Sequence, residues 1–129
     1  MNKPSSYELK VINILKENNL IFEREKQFKD LHYGYYRFDF FIPNMNIIIE
    51  CDGEQHFCYS KKFHKKREDF LKSQERDRRK NSYCLANDIR LYRIPFWEFE
   101  NIKTFSDLTQ NKFLVRNKWH NDTLKIPKK

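Results

Sequence analysis

The segment IIIECDGEQHF (47–57) combines an apolar run with residues that could do chemistry. Glu50 follows three isoleucines directly, Asp52 comes two residues later, and His56 comes four residues after Asp52. The apolar run is typical of a buried strand, and alternate residues of a strand share one face, so Glu50 and Asp52 lie on the same side of the sheet with Ile48. Either the chain leaves the core through a polar turn here, or the strand brings carboxylates to a place where they hold a ligand.

A second strand precedes this one, and the turn between them decides which acids face each other. YYRFDFF (35–41) and MNIIIEC (45–51) are joined by a turn signal at Pro43–Asn44. A two- or four-residue hairpin pairs Asp39 directly with Glu50, and only a bulge would separate them. Opposed like charges destabilise a sheet, whereas Mg²⁺ binds to a few carboxylates together with waters and phosphate oxygens. The facing pair therefore predicts a metal site.

Glu8 is a further acid whose position has two explanations. It lies in line with Ile12 and Leu15 on the apolar stripe of a predicted first helix, which would turn it toward the sheet. It also stands three residues after Ser5, the spacing of a capping box, and that role explains a glutamate without any chemistry. The spacing alone favours the capping role.

Asp77 raises a similar question on the predicted long helix. It falls at sevenfold spacing on an apolar stripe with Phe70 and Cys84, which is an unusual place for an acid. A nearby arginine could neutralise it, or it could contribute to a site on the sheet. The sequence leaves both alternatives open.

The elements that must position these residues follow from periodicity and turn signals. We predict a helix–strand–strand–strand–helix–strand–helix order in a single α/β domain spanning residues 1–129, with a core at about 5–115. The predicted segments are a helix at about 5–18, a strand at 20–29, the two hairpin strands, a helix at about 66–86, a strand at 89–94, a helix around 105–115 and a loose basic tail at 116–129.

The charge of the chain concerns its partners more than its fold. The formal net charge is +8, and residues 61–80 hold ten Lys or Arg against four acids, interleaved with aromatic residues. Nucleic acid is the commonest partner of such a surface, although a solvated helix face explains the run equally well. No stretch has the length of a membrane span and no signal peptide is visible, so we expect an intracellular, cytoplasmic protein without a membrane partner.

Two long segments resemble a known nuclease family. RFDFFIPNMNIIIECDGEQHF (37–57) and ERDRRKNSYCLANDIRLYRIPFWEF (75–99) are similar to the Vsr-like branch of the PD-(D/E)XK nuclease superfamily. That branch includes the very-short-patch repair endonuclease and phage homing endonucleases of the EDxHD type, and the resemblance covers about residues 5–100. It implies a restriction-endonuclease-like mixed β-sheet flanked by helices. It also implies Mg²⁺-dependent hydrolysis of DNA phosphodiester bonds, with Mn²⁺ able to substitute.

The resemblance also implies residue roles. Asp39 and Glu50 match the metal-binding acids, and His56 matches the histidine that activates water. Where the broader superfamily has a lysine two residues after the strand glutamate, this chain has Asp52, a further candidate for supporting or binding the metal. Water activation would then fall on His56 or on the metal ion. The residues that match catalytic positions are Glu8, Asp39, Glu50, His56 and Asp77.

We therefore predict a Mg²⁺-dependent endonuclease acting on double-stranded DNA, such as the catalytic domain of a phage homing endonuclease. A dimer or a separate recognition domain would be compatible with this prediction. Two rivals are a non-catalytic nucleic-acid-binding module, in which the acids are structural, and an RNase of the same fold. The residues predicted to contact backbone phosphates are Lys61, Lys62, Lys65, Lys66, Arg67, Arg78 and Arg79.

Overall fold

The computed structural model describes residues 2–128, which form helices on a four-stranded mixed sheet. The order of helices and strands agrees with the prediction from sequence. No helix in this described part of the chain is long and apolar enough to cross a membrane. In chain order the elements are α1 (Ser6–Glu17), β1 (Glu23–Lys26), β2 (Phe38–Ile42), β3 (Ile47–Asp52), α2 (Arg67–Ala86), β4 (Arg90–Pro95) and α3 (Phe105–Leu108).

The sheet has the strand order β1-β2-β3-β4 and contains the predicted hairpin. β1 and β3 pair antiparallel with β2, whereas β4 runs parallel to β3 after the crossover through α2. Phe40 pairs with Ile49 and Ile42 with Ile47, which is the register that the turn length predicted. Asp39 and Glu50 therefore come next to each other at the open end of the hairpin.

Each face of the sheet buries its own apolar cluster. Ile47 and Ile49 pack with Leu15 of α1 on one face, whereas Ile48 packs with Cys84 of α2 on the other. This division confirms the predicted alternation along β3, and burying a side chain of this size contributes roughly 1.5–3 kcal/mol. α1 and α2 are thereby held on opposite faces, and both reach the end of the sheet where the acids lie.

β2 departs from strict alternation at Asp39. Phe40 packs in the cluster under α1, but Phe38 packs in the other cluster together with half-buried Phe41. The pairing of β1 with β2 skips Asp39, and Glu25, across from it, has a φ of 53°. The register is the same on both sides of Asp39, so the irregularity is local and adds no residue to the strand.

Two predicted segments are shorter than expected. The strand predicted at 20–29 is reduced to Glu23–Lys26, and the helix predicted around 105–115 ends after one turn at Leu108. The second difference has a clear cause, because the chain must be extended where Leu114 bridges Tyr92 and Val115 N donates to Leu91 O at 2.9 Å. A helix through residue 115 would lose these contacts with β4.

The C-terminal segment also differs from the loose tail that was predicted for 116–129. His120–Thr123 forms a 3-10 turn, and Asn121 within it is buried. Arg78 of α2 makes two hydrogen bonds of 3.0 Å to the carboxylate of Asp122. The segment is therefore packed against α2, and its polar residues make specific contacts with the domain.

Candidate active site

Asp39 and Glu50 are tied together by side-chain contacts where the ladder between β2 and β3 ends. Glu50 Oε1 accepts a hydrogen bond from the backbone N–H of Asp39 at 3.0 Å. Asp39 Oδ2 in turn accepts the backbone N–H of Cys51 at 2.8 Å. The two carboxylates thus take the places of backbone acceptors, which holds them next to each other despite their like charge.

Lys80 of α2 lies against this pair, although the sequence reasoning did not identify it. Its Nζ is 3.1 Å from Glu50 Oε1 and donates to the backbone carbonyl of Arg37 at 2.7 Å. The side chain is only 5% exposed, and the ammonium lies 4.8 Å from the ring centre of Phe38. A lysine this buried needs an anionic partner. Lys80 stands three residues after Asp77 on the same face of α2, and this spacing could have identified it from the sequence.

The charge at this end of the hairpin is only partly balanced. Burial and the neighbouring charge of Glu50 raise the pKa of Asp39 well above its usual value, and Lys80 lowers it only in part. Ionising Asp39 is therefore unfavourable in the protein alone, and an added cation would favour its ionised form.

The oxygens that remain fit the ligand set of a hard cation. Asp39 Oδ1 and Glu50 Oε2 take part in none of the hydrogen bonds or ion pairs among residues 2–128. Mg²⁺ is commonly bound through one or two carboxylates together with waters and phosphate oxygens. Within the same residues, no group of three or more His, Cys, Asp or Glu side chains is arranged to hold a metal. Any cation held here would have these two carboxylates as its protein ligands and would need its other ligands from water or substrate.

Glu8 completes the capping box and also borders a cavity. Its Oε1 accepts the backbone N–H of Ser5 at 3.1 Å, and Ser5 Oγ accepts the backbone N–H of Glu8, so the capping box is complete. The other oxygen lies 3.8 Å from Arg24, and the side chain borders the same cavity as Asp39. Its contacts explain the residue as a helix cap, placed at the wall of the site.

His56 and Asp77 form a dyad beside the carboxylate pair. A 3-10 turn, Glu54–His56, follows Gly53 and brings the ring to α2, where Nδ1 lies 2.8 Å from Asp77 Oδ2. Asp52 Oδ1 is farther from the same nitrogen, at 3.8 Å. Burial lowers the pKa of His56, but the charge of Asp52 and the hydrogen bond to Asp77 outweigh it and raise the pKa to about 9. The imidazole is therefore protonated at neutral pH.

Asp52 lies behind the dyad in a fully buried ion pair. Arg93 Nη1 donates to Asp52 Oδ1 at 2.9 Å and to Oδ2 at 3.1 Å, and both side chains are essentially inaccessible to solvent. Arg93 Nη2 also lies 3.5 Å from Asp77 Oδ1. Burial opposes ionisation of Asp77, but Arg93 and His56 outweigh it and hold its pKa well below the usual range. With both oxygens engaged, Asp52 supports the dyad and does not face the carboxylate pair.

One open cavity unites the residues singled out in the sequence. It has a volume of about 930 Å³. It lies between the N-terminal end of α1, the open end of the β2–β3 hairpin and α2. Lys80 borders it as well, so its wall carries both anionic and cationic groups. All five residues matched to catalytic positions border it: Glu8, Asp39, Glu50, His56 and Asp77.

The predicted phosphate-binding residues separate into two groups. The first comprises the exposed side chains of the loop before α2 and its first residue, where Phe63 and His64 border the cavity. Arg78 and Arg79 instead border a second cavity of about 460 Å³ on another face of α2. Arg78 is paired with Asp122, and Arg79 with a glutamate of its own helix. None of the predicted residues borders the cavity itself; the first group lies on the loop whose Phe63 and His64 do, whereas the second lies on another face of α2.

Two curated viral proteins are similar to part of the chain. Uncharacterized protein 307L of Invertebrate iridescent virus 6 is 33% identical over 58 residues, and Uncharacterized protein 033L of Invertebrate iridescent virus 3 is 31% identical over 58 residues. Each match covers 45% of this chain but only 29% and 30% of the respective relative. The match thus spans less than a third of the length of these relatives. No protein-family model matches the chain, and no solved structure matches it significantly.

Proposed function

We propose that this protein is a Mg²⁺-dependent endonuclease that hydrolyses phosphodiester bonds in DNA, on a restriction-endonuclease-like fold. The observation that carries the proposal is the convergence of the five matched residues on one cavity, although they come from both sides of the sheet. The hydrogen bonds of the two carboxylates leave one oxygen of each without a partner beside the cavity, and two like charges in that position are otherwise destabilising.

Asp39 and Glu50 would hold the metal through their free oxygens, Asp39 Oδ1 and Glu50 Oε2. When bound there, Mg²⁺ would polarise the scissile phosphate and neutralise the charge that develops during in-line displacement. Lys80 keeps the Glu50 carboxylate in place through Oε1, at 3.1 Å, and leaves the other oxygen for the ion. The ammonium also adds a positive charge to the wall that a phosphate must approach.

His56 acts in this proposal as a proton donor at neutral pH. Its Nδ1 is fixed by Asp77 at 2.8 Å, so Nε2 is the ring nitrogen that remains for the substrate. With a pKa of about 9, the imidazolium can donate to a phosphate oxygen or to the leaving oxygen. The role as base, implied by the family resemblance, would require deprotonation and would therefore be confined to pH values near and above 9.

Nucleic acid would reach the carboxylates along the cationic loop before α2. This loop carries lysines next to aromatic side chains at the cavity wall, and none of its lysines forms an ion pair among the described residues. Contacts of this kind position the phosphate backbone without reading sequence. Double-stranded DNA is the substrate class we propose.

Cleavage assays with plasmid DNA and with RNA, each with Mg²⁺ or with EDTA, test the proposal. We expect Mg²⁺-dependent cleavage of DNA, and we expect Asp39→Asn to abolish it while the circular dichroism spectrum stays unchanged. Cleavage of RNA alone would identify the RNase rival. DNA binding that is equal in EDTA and Mg²⁺, with no cleavage, would identify a binding module and refute the nuclease. Equal cleavage by a folded Asp39→Asn protein would refute the metal site.

A further inference from the structure

We propose that Asn121, in the C-terminal 3-10 turn, is a positioning residue that keeps His56 bonded to Asp77 by occupying the competing carboxylate of Asp52. The proposal rests on the proposed nuclease function for its consequence in catalysis. Its structural basis is independent of that function, since it concerns which of two carboxylates holds His56.

Two aspartates lie within reach of the same imidazole nitrogen. Asp77 Oδ2 is 2.8 Å from His56 Nδ1, and Asp52 Oδ1 is 3.8 Å from it. Asp52 would need to move by only about an ångström to replace Asp77 as the partner, and a hydrogen bond forms at 2.7–3.2 Å. Such an exchange would turn the ring and redirect Nε2 within the cavity.

Asn121 supplies the contact that opposes this movement. Its Nδ2 donates to Asp52 Oδ2 at 2.9 Å, in addition to the two bonds that Arg93 makes to the same carboxylate. The Asn121 carbonyl oxygen is buried without a hydrogen-bond partner among residues 2–128. An unpaired buried acceptor is unfavourable, so the side chain is oriented here for its donor group and not for its oxygen.

The C-terminal segment is held tightly enough to place this amide. Arg78 clamps Asp122 with two bonds of 3.0 Å, and Asn81 Nδ2 donates to the backbone carbonyl of Lys118 at 3.1 Å. Asn81 Oδ1 also accepts from Arg93 Nε at 2.7 Å, which joins the segment to the same buried network. The segment therefore acts as a fixed support for Asp52 from a position 69 residues away along the chain.

Removing the Asn121 amide should release Asp52 toward His56. In Asn121→Ala, Asp52 keeps Arg93 but loses the donor that draws it away from the imidazole. We expect a fall in kcat of about 10- to 100-fold with KM little changed, because a small misplacement of a reacting group has effects of that size. The pH dependence of kcat should change as well, since His56 would exchange one carboxylate partner for the other.

The decisive measurement is the low-field proton resonance of His56 Nδ1–H in the protein without metal or DNA. Its assignment is given by its loss in His56→Ala. We expect Asn121→Ala to shift or broaden this resonance, and Asn117→Ala to leave it unchanged. Asn117 is an exposed asparagine of the same segment, and its side chain accepts the backbone N–H of Trp119 at 2.9 Å; it is the matched control.

Asn121→Ser provides a second variant, which should show the same change if the alanine protein does not fold. An unchanged resonance and an unchanged pH profile in a folded Asn121 variant, with only a lower Tm, would overturn the proposal and leave Asn121 a purely structural residue. A shifted resonance in a protein that cleaves no DNA would support the positioning role while refuting the nuclease function. The two proposals can therefore fail separately.

Discussion

Glu50 and Asp52 lie two residues apart on one face of β3, yet they belong to regions whose charge is balanced to different degrees. Glu50 shares the cavity floor with Asp39, where one lysine faces two carboxylates and the pKa of Asp39 is raised by burial and by Glu50. Asp52 belongs to a buried network in which Arg93 and the protonated His56 balance it together with Asp77. The first region has a deficit of positive charge, whereas the second is neutral.

The comparison shows how a single strand can supply both a ligand site and its support. A carboxylate with an uncompensated neighbour and a free oxygen suits a cation that arrives with the substrate. A carboxylate whose oxygens are saturated by Arg93 and Asn121 is fixed in place and can only hold other groups. The partner side chains, and not the residue type, separate the two roles.

The largest expected loss of stability comes from removing Arg93, the cation shared by Asp52 and Asp77. Arg93→Met leaves Asp52 and Asp77 buried without their shared partner, and breaking one side of a buried ion pair costs about 3–5 kcal/mol. Urea denaturation at pH 7 measures this loss. Arg90→Met is the control, because Arg90 lies on the same strand but is exposed. Equal, small losses in both variants would mean that the network contributes little to stability.

A pH titration of stability tests the same network through His56. The folded-state pKa of about 9 exceeds the unfolded value of about 6.5, so the protonated imidazole stabilises the fold. This contribution is fully present below about pH 6.5 and is lost as the pH rises through about 9, by up to about 3 kcal/mol. His56→Gln should remove this slope, whereas His32→Gln, at an exposed histidine, should retain it. Retention of the slope in His56→Gln would assign it to another group.

Lys80→Met should have an intermediate effect on the unbalanced region. It removes the buried cation from Glu50, and losing a hydrogen bond to a charged group costs about 1.5–3 kcal/mol. The loss, measured by urea denaturation in EDTA, should shrink as the pH is lowered, because the pKa of Asp39 is raised and its protonation leaves less negative charge for Lys80 to balance. A loss that does not depend on pH would indicate that Lys80 stabilises the fold by packing on Phe38 alone.

Asp39→Asn should have the smallest effect on the free energy of unfolding, and it should increase this free energy where the other variants decrease it. Replacing one of two opposed carboxylates relieves repulsion of about 0.2–1 kcal/mol, so the metal-free protein should become slightly more stable in EDTA. When the Mg²⁺ concentration is about ten times the wild-type Kd, the wild type should become more stable than the variant. Binding of the ion to the native state then stabilises the wild type by about 1.4 kcal/mol. A variant that is less stable than the wild type in EDTA would show that the carboxylate pair is not under repulsion.

Residue spacing was sufficient to predict the parts of this protein that depend on short-range geometry. The turn at Pro43–Asn44 and the two-residue period of a strand determine the register of Phe40 with Ile49, and hence the encounter of Asp39 with Glu50. The inward position of Asp77 likewise follows from the period of α2. These features were predictable because one turn or one helical repeat relates the residues.

The tertiary structure alone decided the partners of these residues. Arg93 contacts Asp52 from 41 positions away along the chain, and Asn121 contacts it from 69 positions away. Lys80 contacts Glu50 from α2, which packs on one face of the sheet. Such pairings depend on how α2 and the C-terminal segment pack on the sheet, and no local period encodes that arrangement. The elevated pKa of His56 follows from the same long-range contacts, because the charges of Asp52 and Asp77 meet the ring only in the folded chain.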